Sequence, residues 1–173
     1  EIVRGLYWWA AAPEQTSKKA TLLFSGSAQG AARQAAADLA EFYDVGVELW
    51  SATSYKKLRE DAIDTERWNR LHPEQPPKTP LVATLLSESP GPIVAVTDFM
   101  RIVPEQIVRY LPGRNFTALG TDGMGRSDTR EALRRHFEVD AGHVVVAVFA
   151  ALAAEGEGKP GLVADASARY GSD

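Results

Sequence analysis

Apolar positions along the chain follow two rhythms, one of strands and one of helices. Ile2 to Ala10 is dense in β-formers and predicts a strand. Ala20 to Ser25 is almost continuously apolar, the pattern of a strand covered on both faces in a parallel sheet. Gly26-Ser27-Ala28-Gln29-Gly30 turns the chain, and the spacing then lengthens. Ala32, Ala35, Ala36, Leu39 and Phe42 or Tyr43 recur at helical intervals over residues 31–43, and Val45 to Trp50 returns to strand. Strand, helix and strand joined this tightly make a βαβ unit, whose crossover is nearly always right-handed.

The second half changes character. Thr53 or Ser54 can cap a helix through Tyr55, Leu58 and Arg59. Four prolines between residues 72 and 80 predict a rigid surface crossing, followed by a short helix at Leu81 to Leu86. Pro90-Gly91-Pro92 stops the chain before a strand at Ile93 to Thr97. Pro104 suits the first turn of a helix reaching Tyr110, and Phe116 to Leu119 is the last strand. Beyond Gly125 only helices are expected. Asp128 to Glu131 has the layout of a capping box for a helix ending near Phe137. Asp140 can cap the next, which carries Val144, Val145, Val148, Phe149 and Leu152, and Leu162 to Tyr170 closes the chain. The expected architecture is one three-layer α/β/α domain, with a mixed, mostly parallel five-stranded sheet.

Composition narrows the function classes. The chain has 173 residues, 45% of them apolar, enough for a sizeable core and too apolar for a disordered polypeptide. A formal charge of -4 gives no general attraction to nucleic acid or to an anionic membrane. The absence of cysteine excludes disulfides, thiolate metal sites and cysteine nucleophiles, and fits a reducing, cytoplasmic compartment. The opening residue is Glu1, and residues 1–12 have no signal-peptide layout, so the expectation is a segment cut from a longer chain.

Three segments hold candidate chemistry. The first is the turn with Gly26, Ser27 and Gly30, where free N–H groups at a helix start could hold an anion, although a tight strand-to-helix turn needs glycine anyway. It is neither a P-loop nor a dinucleotide fingerprint. The second is Gly120 to Asp128. It reads either as a binding or interface loop outside the end of a strand, or as a glycine turn tied by pairing of Asp122 with Arg126 and capped by Asp128. The third runs from Asp61 to Pro73 and contains His72, either an acid–base group or a structural histidine bonded to backbone. His136 and His143 aim at no common point, so no metal site is expected. Arg126, Arg130, Arg134 and Arg135 form a basic cluster, expected to pair with Asp128, Glu131 and Glu138. Trp8 and Trp9 are neighbours in a strand and should face opposite ways, one into the core and one toward a partner. Ser25, Ser27 and Ser54 sit in no nucleophile pattern.

Several runs together resemble one family. They are Trp50-Ser51-Ala52-Thr53-Ser54-Tyr55, Glu66 to Pro73, Thr97-Asp98-Phe99-Met100, and Leu119 to Asp128 continuing through Arg130-Glu131 to Asp140. In this order they resemble the carboxy-terminal domain of the homodimeric, thiamine-dependent pyruvate dehydrogenase family. Met124 stands where that family usually has phenylalanine, and Ala62 where it has glycine. The resemblance implies a transketolase-type carboxy-terminal fold. It implies thiamine diphosphate and magnesium bound by upstream domains, and a full-length enzyme that decarboxylates pyruvate and acetylates a lipoyl group. The implied partners are the upstream domains, a second copy in a homodimer, and the dihydrolipoyl acyltransferase. No motif residue here carries over as catalytic, cofactor-binding or metal-binding. Asp122, Arg126, Ser127, Asp128, His72 and Asp98 are left as candidates for structural or interface roles. Two other readings are a regulatory module binding a small anion without catalysis, and an independent enzyme with an unrecognised site.

Overall fold

The computed structural model describes residues 2–158 and 160–171. Its five strands are β1 (Leu6–Ala10), β2 (Lys18–Phe24), β3 (Val45–Ala52), β4 (Ile93–Val96) and β5 (Phe116–Leu119). Its helices are α1 (Gln29–Tyr43), α2 (Tyr55–Leu71), α3 (Leu81–Leu85), α4 (Ile102–Glu105), α5 (Arg130–His136), α6 (Ala141–Ala154) and α7 (Pro160–Tyr170). The strands form one sheet in the order β1-β3-β2-β4-β5. β2, β3, β4 and β5 run parallel, and β1 lies antiparallel along the β3 edge. This is the expected mixed, mostly parallel sheet.

The apolar run of β2 follows from its position between β3 and β4. Leu22 and Phe24 enter a core layer with α1, α6 and α7, while Leu23 enters the opposite layer with α2 and α3. β4 divides in the same way, Val94 and Val96 to one layer, Ile93 and Ala95 to the other. Both faces of the sheet are therefore covered, which gives three layers. The stretch Arg130–Ala154 is long and apolar enough by composition to cross a membrane. It is broken at Glu138, whose φ of 57° ends α5, and the apolar side chains of α6 are packed in the core.

Some expected boundaries shift for local reasons. Residues Ile2–Arg4 form a 3-10 turn, and the first strand begins only after Gly5, at φ 105°. Pro104 sits third in the short α4, and a separate 3-10 turn covers Val108–Tyr110. Ser54, with its side chain accepting the Lys57 N–H, caps α2. Asp140 caps α6 through the His143 N–H at 2.9 Å. The cap of α5 is not Asp128. Asp128 Oδ1 accepts the N–H of the adjacent Thr129 at 2.7 Å, and Thr129 Oγ1 accepts the Ala132 N–H. Asp128 is turned back onto its neighbour, so the threonine hydroxyl reaches the helix. Thr129→Ala is thus expected to lower stability by about 1 kcal/mol in urea denaturation, with a smaller loss for Asp128→Ala.

Trp8 and Trp9 depart from expectation more clearly. They are 51% and 39% exposed, so neither is a core residue. β1 is an edge strand, and Trp8 pairs in register with Trp50 while Trp9 lies edge-on to Phe24 at 5.4 Å.

Candidate functional site

Parallel strands put the loops after β2, β4 and β5 at one end of the sheet. From β2 the chain moves outward to β3, and β4 then lies on the other side of β2. Such a reversal opens a crevice beyond the strand ends, the usual ligand position in open α/β sheets. A cleft of about 550 Å³ lies there, with Ser27, Thr97, Asp98, Thr121, Arg130 and Arg134 on its polar side. Leu133, Phe137 and Val139 add apolar wall.

Hydrogen bonds knit the strand ends together. Ser25 Oγ donates to Thr97 Oγ1 at 2.6 Å, a buried bond joining the ends of β2 and β4. Thr97 Oγ1 also accepts the Phe99 N–H at 3.1 Å. Thr121 donates its hydroxyl to Asp98 O at 2.9 Å and its N–H to Phe99 O at 2.8 Å, which ties the loop after β5 to the loop after β4. The close approach needs Gly120, because a Cβ there would fall 2.6 Å from Phe99 O.

The glycine turn after β2 does meet an anion, and that anion belongs to the chain. Asp98 Oδ2 accepts the Ser27 N–H at 3.0 Å. Gly26 has φ 58°, and a Cβ on it would lie 2.1 Å from Asp98 Oδ1. Gly30 lies in the first turn of α1 with open space beside it.

The expected pairing of Asp122 with Arg126 is overturned. Gly123, at φ 95°, turns the chain between them, and the loop after β4 presents Arg101 instead. Asp122 accepts hydrogen bonds from the backbone N–H and the Nε of Arg101. The Arg101 guanidinium holds the Asp122 carboxyl below its ordinary range, and is itself raised by that bond. A carboxyl depressed by folding adds stability above its unfolded pKa and loses that contribution as pH falls through the folded value. Asp122→Asn is therefore expected to lower Tm at neutral pH, where the contribution is fully present, and to converge on the parent below about pH 4, so that its acid limb is flatter. Equal acid limbs in the two proteins would show the pair contributes nothing.

Three of the four arginines of the basic cluster also find partners unlike those expected, and Arg130 pairs with none of the described residues. Arg126 Nη1 donates to His136 Nδ1 at 3.1 Å. Arg134 donates to Ser27 O at 3.1 Å, and Arg135 donates to Tyr170 O at 3.1 Å. Among the described residues, none of these arginines forms an ion pair with Asp128, Glu131 or Glu138. Ser127 is exposed in the loop between β5 and α5. His72 lies apart from the cleft at the end of α2. Its Nδ1 bonds to Trp68 O at 2.8 Å, and its ring stacks on Trp68 at 4.5 Å. His143 Nδ1 bonds to Asp140 at 2.7 Å. Among the described residues no three histidine or acidic side chains converge as metal ligands. The cleft presents binding groups, without a nucleophile aligned to a base and a stabilising donor.

So the structure gathers Ser27, Asp98 and Asp128 at one cleft, carries Asp122 and Arg126 beside it, and leaves His72 elsewhere. Arg101 escaped the sequence reading, whereas Thr97 and Thr121 lay in runs named there without a role of their own; the signal for those two was position, just past the ends of β4 and β5.

Comparison with known proteins gives the family. A model described as "Transketolase-like TK C-terminal domain" matches residues 5–140. Curated relatives named "Pyruvate dehydrogenase E1 component" match nearly the whole chain. The one from Mycolicibacterium smegmatis is 44% identical over 99% of this chain and 18% of its own length. The one from Pseudomonas aeruginosa is 41% identical over 99% of this chain and 20% of its own length. The one from Escherichia coli K12 is 46% identical over 92% of this chain and 18% of its own length. The chain thus spans about a fifth of the length of these relatives. Among solved structures, transketolase from Campylobacter jejuni has a TM-score of 0.56 at 16% identity, covering 87% of this chain and 19% of its own. A "Split gene transketolase, inactive beta4 tetramer" has a TM-score of 0.53 at 20% identity, covering 80% of this chain and 41% of its own. These structures share the fold, and the family match covers most of the sequence: the chain belongs to the transketolase-like C-terminal domain family.

Proposed function

We propose that this chain is the carboxy-terminal structural and dimer-assembly domain of a pyruvate dehydrogenase E1 enzyme. One observation carries the reading: identity of 41–46% over 92–99% of this chain, confined to about a fifth of each E1 relative. On this reading the full-length enzyme works in the cytoplasm as a homodimer. It decarboxylates pyruvate with thiamine diphosphate and magnesium and passes the acetyl unit to a lipoyl group of the acyltransferase partner.

This chain's own residues do not fit that cofactor. Magnesium takes oxygen ligands in near-octahedral array. Among the described residues no three histidine or acidic side chains converge to supply them, and Asp122 is bound to Arg101. The cofactor and the bond-making groups therefore belong to other parts of the enzyme, and this domain braces them.

The test is an assay of the 173-residue chain with pyruvate labelled at its carboxyl carbon. No labelled carbon dioxide is expected, and calorimetry should show no uptake of thiamine diphosphate with magnesium. Added to the Pseudomonas aeruginosa relative lacking its matching fifth, the chain is expected to restore pyruvate decarboxylation. Turnover by the chain alone would overturn the reading.

A further inference from the structure

The cleft at the β2/β4 reversal has a feature that folding does not explain. Arg130 is the first residue of α5, where the backbone N–H groups already create positive potential. Arg134 lies four residues on, the spacing at which like charges on a helix repel. Both arginines line the same cleft. Arg134 at least donates to Ser27 O. Arg130 is exposed and makes no hydrogen bond or ion pair with the described residues. A cation is thus held at the wrong end of a short helix, beside another cation, without an internal partner.

We infer that Arg130 and Arg134 form the anion end of a binding site for a small hydroxylated phosphate monoester. Planar guanidinium groups suit phosphate oxygens better than any other side chain. The remaining wall supplies the hydroxyl end. Asp98 and Asp128 each engage a backbone N–H through one carboxylate oxygen, Oδ2 and Oδ1 respectively. The second oxygen of each accepts no hydrogen bond from the described residues and suits a ligand hydroxyl. Leu133 and Phe137 give an apolar back wall, and about 550 Å³ lies within the range of small-molecule sites. The Gly26 turn is not the phosphate site, since Asp98 already fills it. The inference does not depend on the assembly role, because it concerns only groups within this chain.

Glycerol 3-phosphate, inorganic phosphate and glycerol are the probes, each measured by thermal shift against sodium chloride of matched ionic strength. Glycerol 3-phosphate is expected to raise Tm most, inorganic phosphate less, and glycerol not at all. Arg130→Gln is expected to weaken glycerol 3-phosphate binding about tenfold or more, the loss of a charge-assisted bond. Arg33→Gln, an exposed control on α1, should bind like the parent. Without ligand, Arg130→Gln should be as stable as the parent or more so, since a repulsion is removed. That readout separates a ligand-binding arginine from a structural one. The proposal is overturned by a Tm no higher with glycerol 3-phosphate than with salt. It is equally overturned by a shift that survives Arg130→Gln, or by Arg130→Gln lowering the stability of the free protein.

Discussion

Replacing Phe149 by alanine is expected to cost about 4 kcal/mol of stability, the upper range for large-to-small core changes. Phe149 is 2% exposed in the middle of α6, and its ring meets Tyr43 of α1 edge-on at 4.9 Å. α6 lies against α1, α7 and β4, so the side chain plugs the layer that covers one whole face of the sheet. Alanine would leave a hole walled by two helices and the sheet, and regular elements collapse poorly into such a hole. Urea denaturation should show a lower midpoint with an unchanged slope, because the surface exposed on unfolding is nearly the same. For a chain of this size the Tm should fall by roughly 8–16 °C. Phe149→Leu, which keeps most of the volume, should lose far less. A loss below about 1.5 kcal/mol for the alanine variant would mean that α6 does not seal this layer.

What could be read in the sequence was what local patterning encodes. Leu22 and Leu23 are adjacent yet face opposite layers, and only a strand with both faces covered tolerates such a pair. Ala32, Ala35 and Leu39 share one helix face and are all fully buried, as their spacing implied. The resemblance carried the family and fold beyond anything periodicity could reach, and the family match agrees. Reading failed where the deciding contact is distant. Asp122 sits near Arg126 in sequence, but its partner Arg101 is 21 residues away on another loop. Asp98 occupies a turn 71 residues earlier, so the anion expected there could not be recognised as the chain's own. At Trp8 and Trp9 the pairing of β1 with β3 is irregular and the edge strand leaves both open to solvent, and edge position depends on sheet order. At the cleft, residue types were legible and their convergence was not, because convergence follows from which strands end side by side.

Gly91→Ala should be the most damaging single methyl addition outside the helices, at about 3 kcal/mol or more. Two separate costs combine. Gly91 has φ 58°, a conformation that an L side chain adopts at roughly 1–2 kcal/mol. Its Cβ would also fall 2.0 Å from the backbone oxygen of Lys19, an atom with no rotamer to escape into. Relief would require β2 and the start of β4 to separate. They are joined there by the Thr21 N–H to Pro92 O at 2.9 Å and by the Thr21 hydroxyl to Pro90 O at 2.7 Å. Arg114 adds a bond from Nη2 to Gly91 O at 2.7 Å. Gly113 isolates the first cost, since it has φ 76° and nothing within 4 Å of a Cβ. Gly113→Ala should therefore lose only about 1–2 kcal/mol, and the difference between the two variants measures the clash. Gly91 lies at the amino ends of β2 and β4, the far end from the cleft, so the disturbance should show as faster amide exchange at Thr21 and Ile93 than in Gly113→Ala. Equal stability losses for the two glycines would show that β4 is free to shift against β2 at this end of the sheet, and that the junction is less fixed than these bonds imply.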